Sequence, residues 1–158
     1  MSNRASVERP TRAPDLTLEG LRIWVHGRQF PDATDEWDAN WLNITARHQG
    51  RSGVVEVQGP ELDTVSFLSF QRELMVMAES LTGEATLSSV EPSVKLKLRF
   101  SDRLGHVAAR LELTADQLNE GHWFEIEGID QTHLAVLIGQ LKTVLDRFPV
   151  LKPESRGV

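Results

Sequence analysis

The chain contains no cysteine among its 158 residues. This absence excludes a disulfide framework, a thiolate nucleophile and any zinc or iron–sulfur site that needs cysteine ligands. It also fits a reducing compartment. No apolar run approaches the roughly 18 residues needed to cross a membrane, so we expect no membrane span. The segment from Met1 to Pro14 has three arginines but no apolar stretch, so we do not expect a signal peptide.

Positive charge is also scarce. The chain has 17 basic and 23 acidic residues, a net charge of −6 and a pI near 5.4. Non-specific nucleic-acid binding needs many cations against phosphates, so this balance argues against it. The composition predicts flexible tails at 1–15 and 152–158 and a single folded domain at 16–151. That body has 12 basic and 20 acidic residues, so its net charge is −8.

Motifs for catalysis or metal binding are missing from the sequence. The histidines show no H-x-H or H-E-x-x-H spacing; they are His26, His48, His106, His122 and His133. There is no G-x-S-x-G nucleophile elbow and no glycine-rich phosphate loop. We therefore predict a protein that is not an enzyme and that uses no cofactor or metal ion.

Alternating apolar residues predict a mostly antiparallel sheet of about six to seven strands. The clearest strand is 94–100, and 107–113 continues it as a hairpin. A second hairpin is predicted at 41–58 around a turn at 49–53. Shorter strands are predicted at 21–26, 84–90 and 122–127.

Basic residues line the polar side of the predicted strand 94–100 and its neighbour; they are Lys95, Lys97, Arg99 and Arg110. A single-strand nucleic-acid platform would need aromatic residues among such cations, and the sequence suggests none. We interpret the stripe as a solvated face.

Two segments have helical periodicity, which predicts one amphipathic helix in mid-chain and one near the C-terminus. Their apolar stripes are Phe67, Phe70, Leu74, Met77 and Leu81, and Leu134, Leu137, Leu141, Val144 and Phe148. Gly83 is the expected C-terminal cap of the first helix, and Asp130 is the expected N-cap of the second. Together, strands and helices predict a single α+β domain.

The most unusual segment is 26–42, where four acids fall within seven residues and two tryptophans lie beside them. A tryptophan in a polar loop either plugs the end of a sheet or anchors an interface. Crowded carboxylates repel one another, which a partner of opposite charge would relieve. Calcium is a further reading of an oxygen-rich loop, but the spacing is not that of an EF-hand. The candidate partner-binding residues are Asp32, Asp35, Glu36, Trp37, Asp38 and Trp41.

The run from Gly27 to Leu42 resembles the N-terminal signature of the WapI-type immunity proteins of bacteria. Shorter matches follow at Leu81-x-Gly83-Glu84-Ala85, Glu91-Pro92, Gly105-His106, Ile129-Asp130-Gln131 and Phe148-Pro149-Val150. The resemblance covers about 20–150. The chain departs from the pattern at Ala39, where a glycine is expected.

The resemblance implies a non-catalytic cytoplasmic protein that neutralises the C-terminal domain of a large cell-surface toxin, often a nuclease. The implied partner is a basic toxin domain, with no nucleic acid or membrane, and the chain itself is expected to be a monomer or weak homodimer. The loop acids would carry the electrostatics, and Trp37 or Trp41 would be anchor or scaffold. Partner-reading residues elsewhere, such as Glu125 and Glu127, remain open. The alternative function is a domain that binds a small ligand or serves as a subunit of an assembly.

Overall fold

Eight strands and three helices build an α+β domain in the computed structural model, which describes residues 10–152. The strands are β1 (Leu16–Leu18), β2 (Leu21–Arg28), β3 (Trp41–Gln49), β4 (Val54–Asp63), β5 (Glu84–Ser88), β6 (Val94–Phe100), β7 (His106–Leu113) and β8 (Trp123–Asp130). The helices are α1 (Glu36–Ala39), α2 (Thr64–Ser80) and α3 (Gln131–Arg147). The predicted fold class is confirmed, with eight strands instead of six to seven.

The strands form two antiparallel sheets, where one had been expected. Their orders follow the chain, β1-β2-β3-β4 and β5-β6-β7-β8. Helix α2 connects the sheets and packs beside β5, while α3 packs against α2, β1 and β8. The buried apolar residues of both sheets and both long helices form one cluster, which makes the domain a single unit.

The predicted hairpin of β6 and β7 is confirmed. Val94, Leu96 and Leu98 are buried, whereas Lys95 and Arg99 on the same strand are exposed. Antiparallel pairing extends over the whole of β6. The period-2 pattern therefore gives one face to the core and the other to solvent.

Helix α2 ends differently from the prediction, and its start was not predicted. The N-cap is Asp63, whose carboxylate accepts from the Ser66 backbone N–H. The predicted cap at Gly83 is wrong, because the helix ends at Leu81, which takes a left-handed φ of 55°. The Leu81 N–H still donates to the Met77 carbonyl, and the left-handed turn exposes half of the leucine. Leu81 therefore leaves the buried stripe.

Helix α3 matches its prediction. Asp130 is the N-cap, and its carboxylate accepts from the Thr132 backbone N–H at 2.8 Å. His133 completes a capping box by accepting from the Asp130 N–H. The stripe that includes Leu134 and Leu141 is buried in the core.

The segment before β1 contacts the first sheet. The Asp15 carboxylate accepts from the Val25 N–H at 2.6 Å and from the guanidinium groups of Arg12 and Arg147. The indole N–H of Trp24 donates to the Arg12 carbonyl. Trp24 is therefore buried, although it alternates with the core residues of β2. The predicted tails fall partly on residues 1–9 and 153–158, which lie outside the described residues.

Candidate functional site

The acidic segment forms the connection between β2 and β3, and it contains the short helix α1. Asp35 is the N-cap of α1, since its carboxylate accepts from the Asp38 N–H at 2.8 Å. The sequence prediction missed this helix, because four residues are too few to show a period. Asp35 thus has a structural role in addition to its charge.

Asn40 fixes the inner side of this connection. It is only 2% exposed, and its side chain makes four hydrogen bonds. The amide nitrogen donates to the carbonyls of Glu36 and Leu151. The amide oxygen accepts from the Thr64 hydroxyl at 2.7 Å and from the Leu151 N–H at 2.8 Å. One buried side chain therefore joins α1, α2 and the chain that follows α3.

Arg28, the last residue of β2, makes a second link of the same kind. Its guanidinium donates to the Ala39 carbonyl at 2.8 Å and to the Pro149 carbonyl. Partial burial lowers the pKa of Arg28 from its ordinary value, but a guanidinium keeps its proton at neutral pH. The connection is therefore a fixed element of the fold.

The outer side of the connection faces solvent. Trp37 is 62% exposed, whereas Trp41, the first residue of β3, is half-buried. Their rings meet edge to face, with centroids 6.2 Å apart. Phe30 and Asp32 are exposed as well. The half-buried Trp41, at the start of β3, therefore supports the exposed ring of Trp37.

The four loop acids are close together and form no ion pair among the described residues. They are Asp32, Asp35, Glu36 and Asp38. Some other surface acids are neutralised, as Asp146 is by Lys142 at 2.7 Å. Glu79 and Glu127 are also unpaired within residues 10–152, but they lie outside such a cluster. Four uncompensated carboxylates produce a local negative potential, which attracts a basic surface.

An open groove of about 510 Å³ lies beside α1. Its apolar lining comes from Trp37, Trp41, Val65 and Val90, which belong to three separate parts of the chain. Sequence reasoning missed the groove, because only the fold brings the start of α2 and the β5–β6 connection next to α1.

Most polar groups of the groove are already used within the protein. Asp63 caps α2, and the Ser89 hydroxyl donates to the Glu61 carbonyl at 2.6 Å. Asn40 makes the four bonds described above. The carboxylate of Glu36, by contrast, has no hydrogen-bond or ionic partner within residues 10–152. Glu36 therefore presents an unpaired carboxylate at the groove.

The outer face of the second sheet carries the predicted basic stripe, with one correction. An aromatic residue does lie among the cations, because Arg110 is 4.6 Å from the ring centre of Trp123. Arg110 also pairs with Glu125 at 3.3 Å, and Lys97 pairs with Glu84 at 3.2 Å. These pairs neutralise much of the stripe and also partly neutralise Glu125.

Within the described residues, no group of three or more histidine or acidic side chains is arranged so that it could hold a metal ion. His106, for example, lies 2.6 Å from Asp102 in the turn between β6 and β7. The hydrogen bond from His106 lowers the pKa of Asp102, as do the backbone N–H groups of the turn.

None of the helices within 10–152 is long and apolar enough to cross a bilayer.

His48 is a buried histidine that the sequence did not single out. It lies on the core side of β3, and its ring centroid is 4.2 Å from that of Phe124 in the other sheet. Its Nδ1 atom is buried and has no hydrogen-bond partner in the part of the chain that the structure describes. Burial therefore lowers the pKa of His48 below its ordinary value of 6.5.

We expect His48 to make the fold sensitive to mild acid. Below pH 6.5 the unfolded chain takes up a proton at His48 that the folded chain resists, so stability falls as pH decreases from that value. Partial burial alone would lower the pKa of His133, but its hydrogen bonds to Glu19 and Asp130 raise that pKa overall. This has the opposite effect on stability, so the contribution of His48 is read from a comparison. Between about pH 7.5 and about pH 5.5, wild-type protein should lose more stability than His48→Leu. Urea unfolding of both proteins at both pH values measures it. An equal drop in the two proteins would contradict the prediction.

A protein-family model matches most of the chain. The model of the WapI-like immunity protein family matches residues 15–149 of the chain. The chain belongs to this family. The suspected resemblance is thus confirmed, and the matched range includes the whole acidic connection and both residues that anchor it. No curated protein and no solved structure matches the chain. WapI-like immunity proteins are toxin-neutralising proteins.

Proposed function

We propose that this chain protects the cell that makes it by binding a toxin domain in the cytoplasm, one to one and without catalysis. The observation that carries the proposal is the acidic connection of a WapI-like immunity protein, whose four carboxylates lack cationic partners within residues 10–152. The proposed target is a basic toxin domain.

Nucleases are the class of toxin that fits this charge best. A nuclease must hold phosphate, so its substrate groove is basic. An inhibitor whose body has a net charge of −8 competes for that surface and is steered to it quickly. Electrostatic steering accelerates association, and a rigid binding element reduces the entropy lost on binding. The anchoring by Arg28 and Asn40 supplies such rigidity.

Co-expression tests the proposal. The candidate target is the C-terminal domain of any large toxin encoded directly beside this gene; it is induced with and without this chain, and survivors are counted. Wild-type protein should restore growth. Glu36→Lys should weaken protection and lower the affinity about tenfold, because it removes one attraction and adds one repulsion at the interface. Failure of the wild-type chain to protect would contradict the proposed function.

A matched control separates position from net charge. Glu79→Lys changes the charge by the same amount on an exposed helical residue with no ion pair within 10–152. It lies about 20 Å along α2 from Val65, at 1.5 Å per residue. We expect it to protect as well as wild type. Asp35 is unsuited to charge reversal, because loss of its cap would disturb α1.

A third variant tests the other acidic surface. Glu127 is exposed and has no ion pair among the described residues, so it is the better of the two β8 glutamates for binding a cation. If Glu127→Lys abolished protection while Glu36→Lys did not, the function would stand and the binding surface would move to β8.

The groove beside α1 supports a second function, the binding of a small ligand. Its volume of about 510 Å³ falls within the usual range for ligand pockets. Under this alternative, a metabolite panel would raise the melting temperature of wild-type protein, and the toxin domain would kill cells equally with or without the chain.

A further inference from the structure

We infer that the groove beside α1 binds an arginine side chain of the toxin domain together with an apolar neighbour of that arginine. The inference rests on the proposed function and names the chemistry that this part of the surface recognises. It is argued from the groove, defined by Trp37, Trp41, Val65, Val90 and Glu36.

Exposed apolar side chains line the groove. Trp37 is 62% exposed, Val65 is 44% exposed and Val90 is 66% exposed, and all three line the same groove. Solvent-exposed apolar residues are ordinary when they are scattered, but a concave cluster marks an interaction site. The apolar walls require an occupant with apolar surface.

The unpaired acid Glu36 lies at the same groove. Glu36 and Trp37 are consecutive residues at the start of α1, and both line the groove. A cation placed between them gains a carboxylate partner and the face of an indole ring. A purely apolar occupant would leave the Glu36 carboxylate without a partner and gain nothing from its charge.

The chemistry of the groove favours arginine over lysine. A guanidinium is planar, stacks on an aromatic ring and donates two parallel hydrogen bonds to one carboxylate. It also loses its water more easily than an ammonium group does. The edge-to-face contact with Trp41 holds the Trp37 ring in place, and this gives the guanidinium a preformed surface.

The charge of the surroundings agrees with this occupant. Three more acids lie in the same connection and have no ion pair within residues 10–152; they are Asp32, Asp35 and Asp38. A cation that enters the groove therefore enters a region of negative potential. Two of the three parts of the groove are tied together, since Asn40 bonds to α1 and to Thr64 at the start of α2.

The test uses full-length protein and a catalytically inactive form of the toxin domain that the co-expression experiment identifies as its target. Titration calorimetry should show about 100-fold weaker binding for Trp37→Ala, as for an interface hot spot. Glu36→Gln keeps the shape of the side chain but removes its charge, and it should weaken binding about tenfold. Thermal unfolding confirms that each variant is folded.

A matched control is provided by Trp123→Ala. Trp123 is 58% exposed, nearly as much as Trp37, but it lies on the outer face of the second sheet. We expect this variant to bind like wild type. Equal losses for Trp37→Ala and Trp123→Ala would overturn the assignment to the groove.

Replacement of each toxin arginine by alanine identifies the occupant. One replacement should weaken binding to wild type but have little further effect on binding to Glu36→Gln, which shows that the two groups interact. If Glu36→Gln is silent and only apolar toxin residues matter, the arginine assignment is wrong. If this chain alone dimerises and Trp37→Ala abolishes the dimer, the occupant is a second copy.

The possible failures are distinguishable. If wild-type chain neither binds nor protects, the proposed function fails and the inference fails with it. If wild-type chain binds and protects while Trp37→Ala and Glu36→Gln bind within about twofold of it, the proposed function stands and the groove inference is overturned.

Discussion

Replacing Asn40 by leucine is expected to lower the free energy of unfolding by about 3 kcal/mol. The substitution removes four hydrogen bonds and leaves the Thr64 hydroxyl and the Leu151 N–H without their present partner. Each polar group buried without a partner costs about 1–3 kcal/mol. Urea unfolding followed by circular dichroism measures the change.

Asn43→Leu is the matched control for this prediction. Asn43 lies three residues further along, on β3, and is half-buried. It should change stability by no more than about 0.5 kcal/mol, as surface substitutions commonly do. Asn40→Asp adds a sharper comparison, because it keeps the acceptor oxygen but places a second oxygen against the carbonyls of Glu36 and Leu151. If both Asn40 variants were as stable as wild type, the anchoring role would be wrong.

Phe70→Ala is expected to be at least as damaging, with a loss of about 3–5 kcal/mol. Phe70 is fully buried on α2, the helix that connects the two sheets and packs against α3. Truncation removes apolar contacts and leaves a cavity that rigid neighbours cannot fill. The midpoint of urea unfolding should shift markedly to lower concentration.

Val76→Ala on the same helix provides the comparison. Val76 is 63% exposed, so its truncation leaves no internal cavity and should change stability by less than about 0.5 kcal/mol. Comparable losses at positions 70 and 76 would contradict the prediction that α2 stabilises the fold through its buried face, because alanine is the better helix former at both positions.

The long regular elements could be predicted from the sequence because their periods repeat several times. Val94, Leu96 and Leu98 define β6 by alternation alone. In α3, the apolar period coincides with the capping residue Asp130. Local pattern and tertiary packing select the same structure in both cases, so a single sequence is informative.

The ends of elements and the shorter elements were less predictable. Leu81 takes the left-handed cap position for which a nearby glycine was expected, since chain geometry at the helix end overrides residue preference. Helix α1 and strand β1 contain four and three residues, too few for a period. The division into two sheets follows from which strands pair, and this depends on contacts distant in sequence.

The candidate site was predictable in composition but not in shape. The density of acids and tryptophans in 30–42 identified the segment. That Trp37 is exposed while Trp41 is half-buried follows from how the loop is anchored. The far wall of the groove, with Val65 and Val90, comes from residues whose sequence context gives no sign of a site.

The anchoring of the acidic connection has a consequence for how a substitution in it acts. The bonds that hold the connection run inward through Arg28 and Asn40, whereas Asp32, Glu36 and Trp37 project outward. Under the proposed function, a substitution at an outward position such as Glu36 changes the surface offered to the toxin while the inner bonds of Arg28 and Asn40 stay intact. Recognition and folding then depend on different atoms of the same short segment.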